Sequence, residues 1–126
     1  MSETPSRPAG EPALRTVAMP ADTNPNGDIF GGWLMAQMDT AGAVAAVRRA
    51  RGRVATVAVA AMSFHAPVFV GDLVSCYADI AKIGRTSMTV RVETWADDGR
   101  TGEARKVTEG TFVYVALDDE GRPRPV

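Results

Sequence analysis

The sequence is poor in the residues that many catalytic and metal sites require. Its 126 residues include one cysteine, Cys76, and one histidine, His65. A single cysteine cannot close a disulfide within the chain or support a metal cluster, so we expect a reducing, cytoplasmic location and no metal or other cofactor. His65 belongs to no recognisable arrangement with a serine or a cysteine, which argues against a hydrolase triad.

An excess of one charge and long apolar runs are also absent. The formal net charge is -1, with acidic and basic residues interspersed, so no basic surface for nucleic acid is indicated. No apolar run approaches the roughly 20 residues that span a bilayer. The first residues lack the apolar core of a signal peptide. We therefore expect neither a nucleic-acid partner nor a membrane partner.

Length and composition favour one globular domain. A chain of 126 residues leaves little room for a second domain, and a hydrophobic content of 45% is enough for a core. Residues 1–12 are rich in Pro, Ser, Glu and Gly, which is typical of a flexible tail. We predict a tail over residues 1–12 and a single folded domain over residues 13–126.

Hydrophobic patterning predicts one helix and five strands. Good helix formers dominate residues 33–50, which contain no proline. Arg48 and Arg49 complement the helix dipole at the end of this segment, and Gly52 is a natural stop. Apolar and alternating stretches predict the strands. These cover residues 14–19, 54–64, 73–83, 86–95 and 105–117.

The order of the elements predicts an α+β fold. Consecutive strands joined by short turns form an antiparallel sheet, against which the long helix can pack. The nearly continuous apolar run 54–64 is typical of a strand that is buried on both faces. The helix is apolar almost all round, yet one sheet can cover only one side of it. We expect a second copy of the chain to cover the rest.

Asp39 is the only charged residue between Asp28 and Arg48. A carboxylate among apolar neighbours is costly to desolvate unless it is paired or takes part in chemistry. Two interpretations are open. Asp39 either lies on a hydrated stripe or accepts hydrogen bonds from a loop, or it is a catalytic acid.

Two adjacent glycines, Gly31 and Gly32, precede the predicted helix and follow a polar loop. Their bare N–H groups would stand at the positive end of the helix dipole, where a carbonyl oxygen can be polarised. A turn that needs unusual backbone dihedrals is the alternative. Asp39 follows Gly32 by seven residues. This is about two helical turns, so the two should share a face, roughly 10 Å apart.

The stretch MPADTNPNGDIFGGWLMAQMDTAG (19–42) resembles the signature of the YciA-type hotdog-fold acyl-CoA thioesterases. The similarity continues through GRVATVAVAAMSFHAPVFVGDLVSCY (52–77), GRTSMTVRVETW (84–95) and KVTEGTFVYVALDDEGRPRP (106–125). It implies a hotdog fold, in which an antiparallel sheet wraps around one central helix. It further implies hydrolysis of acyl-CoA to free acid and CoA, by a homodimer at least and an expected trimer of dimers.

The resemblance also implies roles for individual residues. Asp39 matches the catalytic acid, and Asn24 matches a polar partner that acts with the acid of the other subunit. Gly31 and Gly32 match the turn whose amide polarises the thioester carbonyl. Asp39 would either activate water as a general base or attack the carbonyl directly, and the sequence leaves both routes open.

The turn formed by Gly84, Arg85, Thr86 and Ser87 carries a cation and two hydroxyls, a combination that can hold a phosphate. In similar proteins this region lies along the path of CoA, whereas a solvated hairpin turn is the alternative. Two other functions remain open. One is an enoyl-CoA hydratase or dehydratase, with His65 as its histidine, and the other is an acyl-CoA-binding protein without catalysis.

Overall fold

Five strands and one long helix make up the computed structural model, which describes residues 6–126. A turn of 3₁₀-helix, Pro20–Asp22, lies between the first strand and the helix. The predicted order of one strand, one helix and four strands is confirmed. In chain order the elements are β1 (Leu14–Val17), α1 (Gly31–Ala50), β2 (Val54–Phe64), β3 (Leu73–Ile83), β4 (Ser87–Asp97) and β5 (Ala104–Ala116).

The strands form one antiparallel sheet in the order β1-β3-β4-β5-β2. β3, β4 and β5 are neighbours in sequence and in the sheet, as their short turns require. β2 departs from the expectation that consecutive strands lie side by side, because it pairs with β5 and not with β3. The connection 65–72 carries the chain across to the other side of the sheet, so β4 and β5 separate β2 from β3.

Helix α1 packs on one face of this sheet and contacts all five strands. Four of its six buried positions are alanine or glycine, which lets the helix approach the strands closely. The sheet supplies the large core side chains, among them Phe112 and Tyr114 of β5. One helix held in a curved antiparallel sheet is the hotdog arrangement, so the predicted fold class is confirmed. The buried positions of α1 are Leu34, Met38, Ala41, Gly42, Ala46 and Ala50.

The ends of α1 differ slightly from the prediction. The helix begins at Gly31 and so includes both glycines in its first turn. It ends at Ala50 because Arg51 adopts a left-handed conformation, with φ 54°, and donates its N–H to the carbonyl of Val47. Gly52 was predicted to supply this stop. A left-handed residue just past the last turn is the usual way a helix ends, here without glycine.

The prediction that residues 54–64 are buried on both faces is wrong for the single chain. β2 lies at the edge of the sheet, and most of its side chains are exposed. Val57 is 57% exposed and Phe64 is 51% exposed. An apolar run predicts burial but does not show what covers it, and within residues 6–126 the only strand beside β2 is β5. A long apolar edge strand is a template for pairing with another strand.

The amino-terminal region contacts the fold before β1 begins. Residues 1–5 of the predicted tail lie outside the described residues, and residues 6–12 form no helix or strand. Arg7 makes an ion pair of 2.9 Å with Asp97 at the end of β4. The division into a tail over 1–12 and a domain over 13–126 stays a prediction. Among residues 6–126, no helix is long and apolar enough to cross a membrane.

Candidate active site

Asp39 lies in the middle of α1, half-buried, on the side that faces β2 and β5. The Thr56 hydroxyl donates a hydrogen bond to its Oδ1 atom at 2.7 Å. The Tyr114 hydroxyl lies 3.0 Å from the same Oδ1 and 2.7 Å from the Asp39 backbone oxygen, so its one proton is shared between them. The isolated acid of the helix is therefore held by two hydroxyls of the sheet.

The Asp39 carboxylate has no cationic partner within the part of the chain that the structure describes. Its Oδ2 atom accepts no hydrogen bond from any of residues 6–126. Neutral donors orient a carboxylate without neutralising its charge. One oxygen therefore stays available as a proton acceptor or a nucleophile.

The register of the sheet explains why these two hydroxyls meet. Thr56 of β2 stands directly opposite Tyr114 of β5, and a register shift follows Thr56 immediately. Bulges of this kind redirect side chains and are frequent beside active sites. Both side chains reach α1 from adjacent strands, and together they hold the Asp39 side chain in place at the interface between helix and sheet.

Tyr114 is fully buried, and its pKa is raised well above the ordinary value. Burial is the main cause, followed by the negative charge of Asp39 and the hydrogen bond to it, while Thr56 acts in the opposite direction. The hydroxyl consequently keeps its proton throughout the pH range in which proteins are stable. Tyr114 can serve as a permanent hydrogen-bond donor but not as a base.

The amino terminus of α1 forms the second part of the site. The N–H groups of Trp33 and Leu34 bond to the carbonyl of Phe30, and no side chain caps this end. Gly31 and Gly32 are exposed in the first turn, where N–H groups have no acceptor within a helix. These amides are suited to polarising a carbonyl oxygen. The ring of Phe64 lies 3.6 Å from where a Gly31 Cβ would stand.

Asn24 organises the loop that precedes α1. Its Oδ1 atom accepts hydrogen bonds from the N–H groups of Asn26, at 2.9 Å, and Asp28, at 3.1 Å. Its backbone N–H donates to the carbonyl of Asp28 at 2.7 Å, which closes the loop. No hydrogen bond joins Asn24 to Asp39 within the chain. A single chain thus does not bring the two predicted catalytic residues together, and the side-chain amide nitrogen of Asn24 bonds to none of residues 6–126.

The predicted CoA-binding turn connects β3 to β4. The Gly84 N–H donates to the Ser87 carbonyl at 2.8 Å, while the carbonyls of Arg85 and Thr86 accept from Val126 and Ala116. These bonds tie the backbone of the turn to the carboxyl-terminal segment and leave the Arg85 side chain exposed. Ser87 and Ala55 both pair with Val115. Ser87 is therefore two strand spacings, roughly 10 Å, from the residue before Thr56.

His65 makes no hydrogen bond with Asp39. It lies just past the end of β2, nine residues from Thr56. Its Nε2 atom is 3.5 Å from Glu109. The structure therefore does not combine His65 with the helix carboxylate. Residues 6–126 contain no group of three His, Cys, Asp or Glu side chains that could hold a metal, and the expectation that no cofactor is used stays a prediction.

Thr56 and Tyr114 were not among the site residues predicted from the sequence. Thr56 is the only polar residue in the first nine residues of β2, so a hydroxyl in an apolar strand was an available signal. A contact with a group such as Tyr114 was indicated by a residue of the helix. Gly42 is unfavourable in a helix interior and marks a close approach by another group. That group is the Tyr114 hydroxyl, with which a Cβ at Gly42 would overlap.

Known proteins are similar to this chain in sequence and in fold. Residues 26–103 match the family described as the thioesterase superfamily. The acyl-CoA thioester hydrolase YciA of Salmonella typhimurium is 52% identical over 129 residues, which cover 100% of this chain and 97% of that protein.

Solved structures agree with this assignment. A hexameric thioesterase from Yersinia pestis is 53% identical and superposes with a TM-score of 0.90, over 95% of this chain and 98% of that one. A hexameric hotdog-fold thioesterase from Campylobacter jejuni is 42% identical, with a TM-score of 0.89, over 95% of this chain and 92% of that one. The chain therefore belongs to the thioesterase superfamily, among the YciA-type acyl-CoA thioester hydrolases.

Proposed function

We propose that this protein hydrolyses acyl-CoA thioesters to a free acid and CoA, with Asp39 as the catalytic carboxylate. The observation that carries the proposal is the state of Asp39. It is held by two neutral hydroxyls, has no cationic partner among residues 6–126, and keeps its Oδ2 atom free of hydrogen bonds from them. The relatives named as acyl-CoA thioester hydrolases support the substrate class.

The chemistry requires a base or a nucleophile, and Asp39 can be either. As a general base it takes a proton from water while the water oxygen bonds to the thioester carbon. The C–S bond then breaks, and the departing thiolate receives that proton as CoA leaves. As a nucleophile it bonds to the carbon itself and expels the thiolate, and water then hydrolyses the resulting anhydride.

The developing oxyanion needs donors, and the start of α1 supplies them. The N–H groups of Gly31 and Gly32 are exposed at the positive end of the helix dipole, on an end with no side-chain cap. We place the thioester carbonyl there. Asp39 lies about two turns further along, so a water or the thioester carbon can sit between the two.

We assign Asn24 to the active site of a neighbouring subunit. Its Oδ1 atom is used within its own loop, which fixes the side chain and leaves the amide nitrogen to donate outward. Asn24 and Asp39 share no hydrogen bond within one chain, which is what a site shared between two chains requires. The amide would orient the water or the carbonyl.

The turn of Gly84, Arg85, Thr86 and Ser87 is our candidate for contacts to the CoA phosphates. Its backbone is held by the carboxyl-terminal segment, and the Arg85 guanidinium is exposed and able to bind a phosphate oxygen. The turn lies roughly two strand spacings from the Thr56 region, a distance that an extended pantetheine arm can bridge.

We further propose that the chain works as a homo-oligomer in which β2 pairs with β2 of a second copy, and that three such dimers assemble. The exposed apolar edge of β2 supports the first step. An apolar groove of about 350 Å³ on the outer side of α1 supports the second, and it is lined by Thr40, Ala43, Val44, Val47 and Arg48. The Yersinia and Campylobacter relatives are described as hexameric. A cytoplasmic location, without a cofactor, fits the free and buried thiol of Cys76.

The decisive assay measures thiol release from saturated acyl-CoA esters of several chain lengths, with hydration of enoyl-CoA measured in parallel. We expect thiol release that is lost in Asp39→Ala and kept in His65→Ala, and no hydration. Hydration that depends on His65 would instead favour a hydratase. Tight binding of the esters without thiol release would favour a binding protein.

A further inference from the structure

Tyr114 combines a buried ring with a polar contact to the reacting group. The residue is fully buried in β5, and its ring packs near Phe112, with 6.4 Å between the ring centroids. A phenylalanine would fill the same space. The hydroxyl is thus not needed to complete the core, yet it reaches both the backbone oxygen and the Oδ1 atom of Asp39.

Gly42 makes this contact possible. It lies three residues after Asp39 on the buried side of α1, and a Cβ there would stand 2.9 Å from Cζ and 3.0 Å from Cε2 of Tyr114, and would overlap the hydroxyl. Glycine is unfavourable in the interior of a helix compared with alanine. The helix therefore carries a weakening residue at the one place where the tyrosine hydroxyl must pass to reach the carboxylate.

Both hydroxyl donors of the site bind the same oxygen of Asp39. Thr56 approaches Oδ1 at 2.7 Å and Tyr114 approaches it at 3.0 Å, from two adjacent strands. Two donors from different directions fix the rotation of the carboxylate about its last side-chain bond. None of residues 6–126 binds Oδ2, so the oxygen presented to water or to the thioester carbon is defined.

We propose that Tyr114 is a positioning residue that, through the space left by Gly42, locks the Asp39 carboxylate with Oδ2 as the reacting oxygen. This inference rests on the proposed thioesterase function of Asp39. Because the tyrosine keeps its proton, the lock persists whether or not the carboxylate has reacted. It acts on the orientation of the Asp39 carboxylate, not on substrate binding.

The test compares Tyr114→Phe with the matched control Tyr77→Phe. Tyr77 is the only other tyrosine, is also buried, and lies on β3 away from Asp39. For Tyr114→Phe we expect kcat to fall about 10- to 100-fold with KM nearly unchanged. Tyr77→Phe should change neither.

A second variant reaches the same hydroxyl from the helix. Gly42→Ala should displace the Tyr114 hydroxyl and reproduce the loss of kcat, again with KM nearly unchanged. A wild-type kcat in Tyr114→Phe, in a preparation where Asp39→Ala is inactive, would overturn this inference alone. Full activity of Asp39→Ala would overturn the proposed function and this inference with it.

Discussion

Two carboxylates, Asp39 beside β5 and Glu109 on β5, have very different surroundings. Asp39 contacts Tyr114 and Thr56 on the inner face of the sheet and receives only neutral hydrogen bonds. Glu109 lies on β5 among cations, with Lys106 at 2.7 Å and Arg91 at 3.0 Å. Lys106, followed by Arg91, lowers the pKa of Glu109 to about 2. In turn, Glu109 and then Glu93 raise the pKa of Lys106.

The difference separates a structural acid from a reactive one. A carboxylate surrounded by cations is stabilised as an anion and becomes a poor base and a poor nucleophile. Glu109 is therefore well suited to linking β4 and β5 and badly suited to catalysis. Asp39 is held in one orientation but keeps its charge uncompensated, which is what proton transfer or nucleophilic attack requires.

Removing the charge from Asp39 and from Glu109 in turn should give the largest difference in kcat. We expect Asp39→Asn to lower kcat for acyl-CoA hydrolysis by about 1,000-fold or more, a loss typical of removing a general base or nucleophile. Glu109→Gln should lower it less than about threefold. The measurement is steady-state thiol release by the two purified variants. Comparable losses in both would show that the surroundings of the two acids do not decide their roles.

A smaller effect should appear in the pH dependence of stability. The pKa of Glu109 is depressed in the folded state, from 4.5 to about 2. Its ion pairs thus contribute fully above about pH 4.5, and the contribution is lost as the pH falls through 2. These pairs are partly exposed, so we expect Glu109→Gln to lower the free energy of unfolding by about 1 kcal/mol at pH 7. The difference from wild type should shrink below pH 4.5.

Urea unfolding at several pH values measures this difference directly. Glu103→Gln is the matched control, because Glu103 is exposed and makes no ion pair within residues 6–126. Its unfolding midpoint should follow wild type at every pH. If the free energy of unfolding of Glu109→Gln stays below that of wild type by the same amount down to pH 3, the ion pairs are not the cause of the difference.

The sequence alone predicted most of the fold, because periodicity and turn residues mark each element locally. It missed the placement of β2 beside β5, since the pattern of a strand does not encode which edge it joins. The prediction that residues 54–64 are buried on both faces was also wrong for the single chain. An apolar run looks the same whether its own chain or a second copy covers it, and Val57 and Phe64 are exposed in the single chain.

The candidate site was predicted in part for similar reasons. Asp39 and the glycine pair stand out locally, one as an isolated charge and the other at a helix start. Thr56 is 17 residues from Asp39 and Tyr114 is 75 residues away. Only the register of β2 and β5 places both opposite the helix, and register is a property of the folded sheet. The local signs of these contacts were Gly42 in the helix and the lone hydroxyl of Thr56 in an apolar strand.

The most direct test of a site built from Asp39 of one chain and Asn24 of another is complementation. Asp39→Ala and Asn24→Ala should each be nearly inactive alone. If the two are coexpressed in equal amounts and pair at random, about half of the dimers contain one chain of each kind. Each mixed dimer then has one complete site, so about a quarter of wild-type activity should return.

The control pairs Asp39→Ala with a chain carrying both substitutions, which cannot form a complete site and should stay inactive. Mass spectrometry of differently tagged chains establishes that mixed oligomers are present. A quarter of wild-type thiol release in the first mixture and none in the control is the result that we predict. Mixed oligomers no more active than their parents would contradict a shared site and return Asn24 to a role within its own loop.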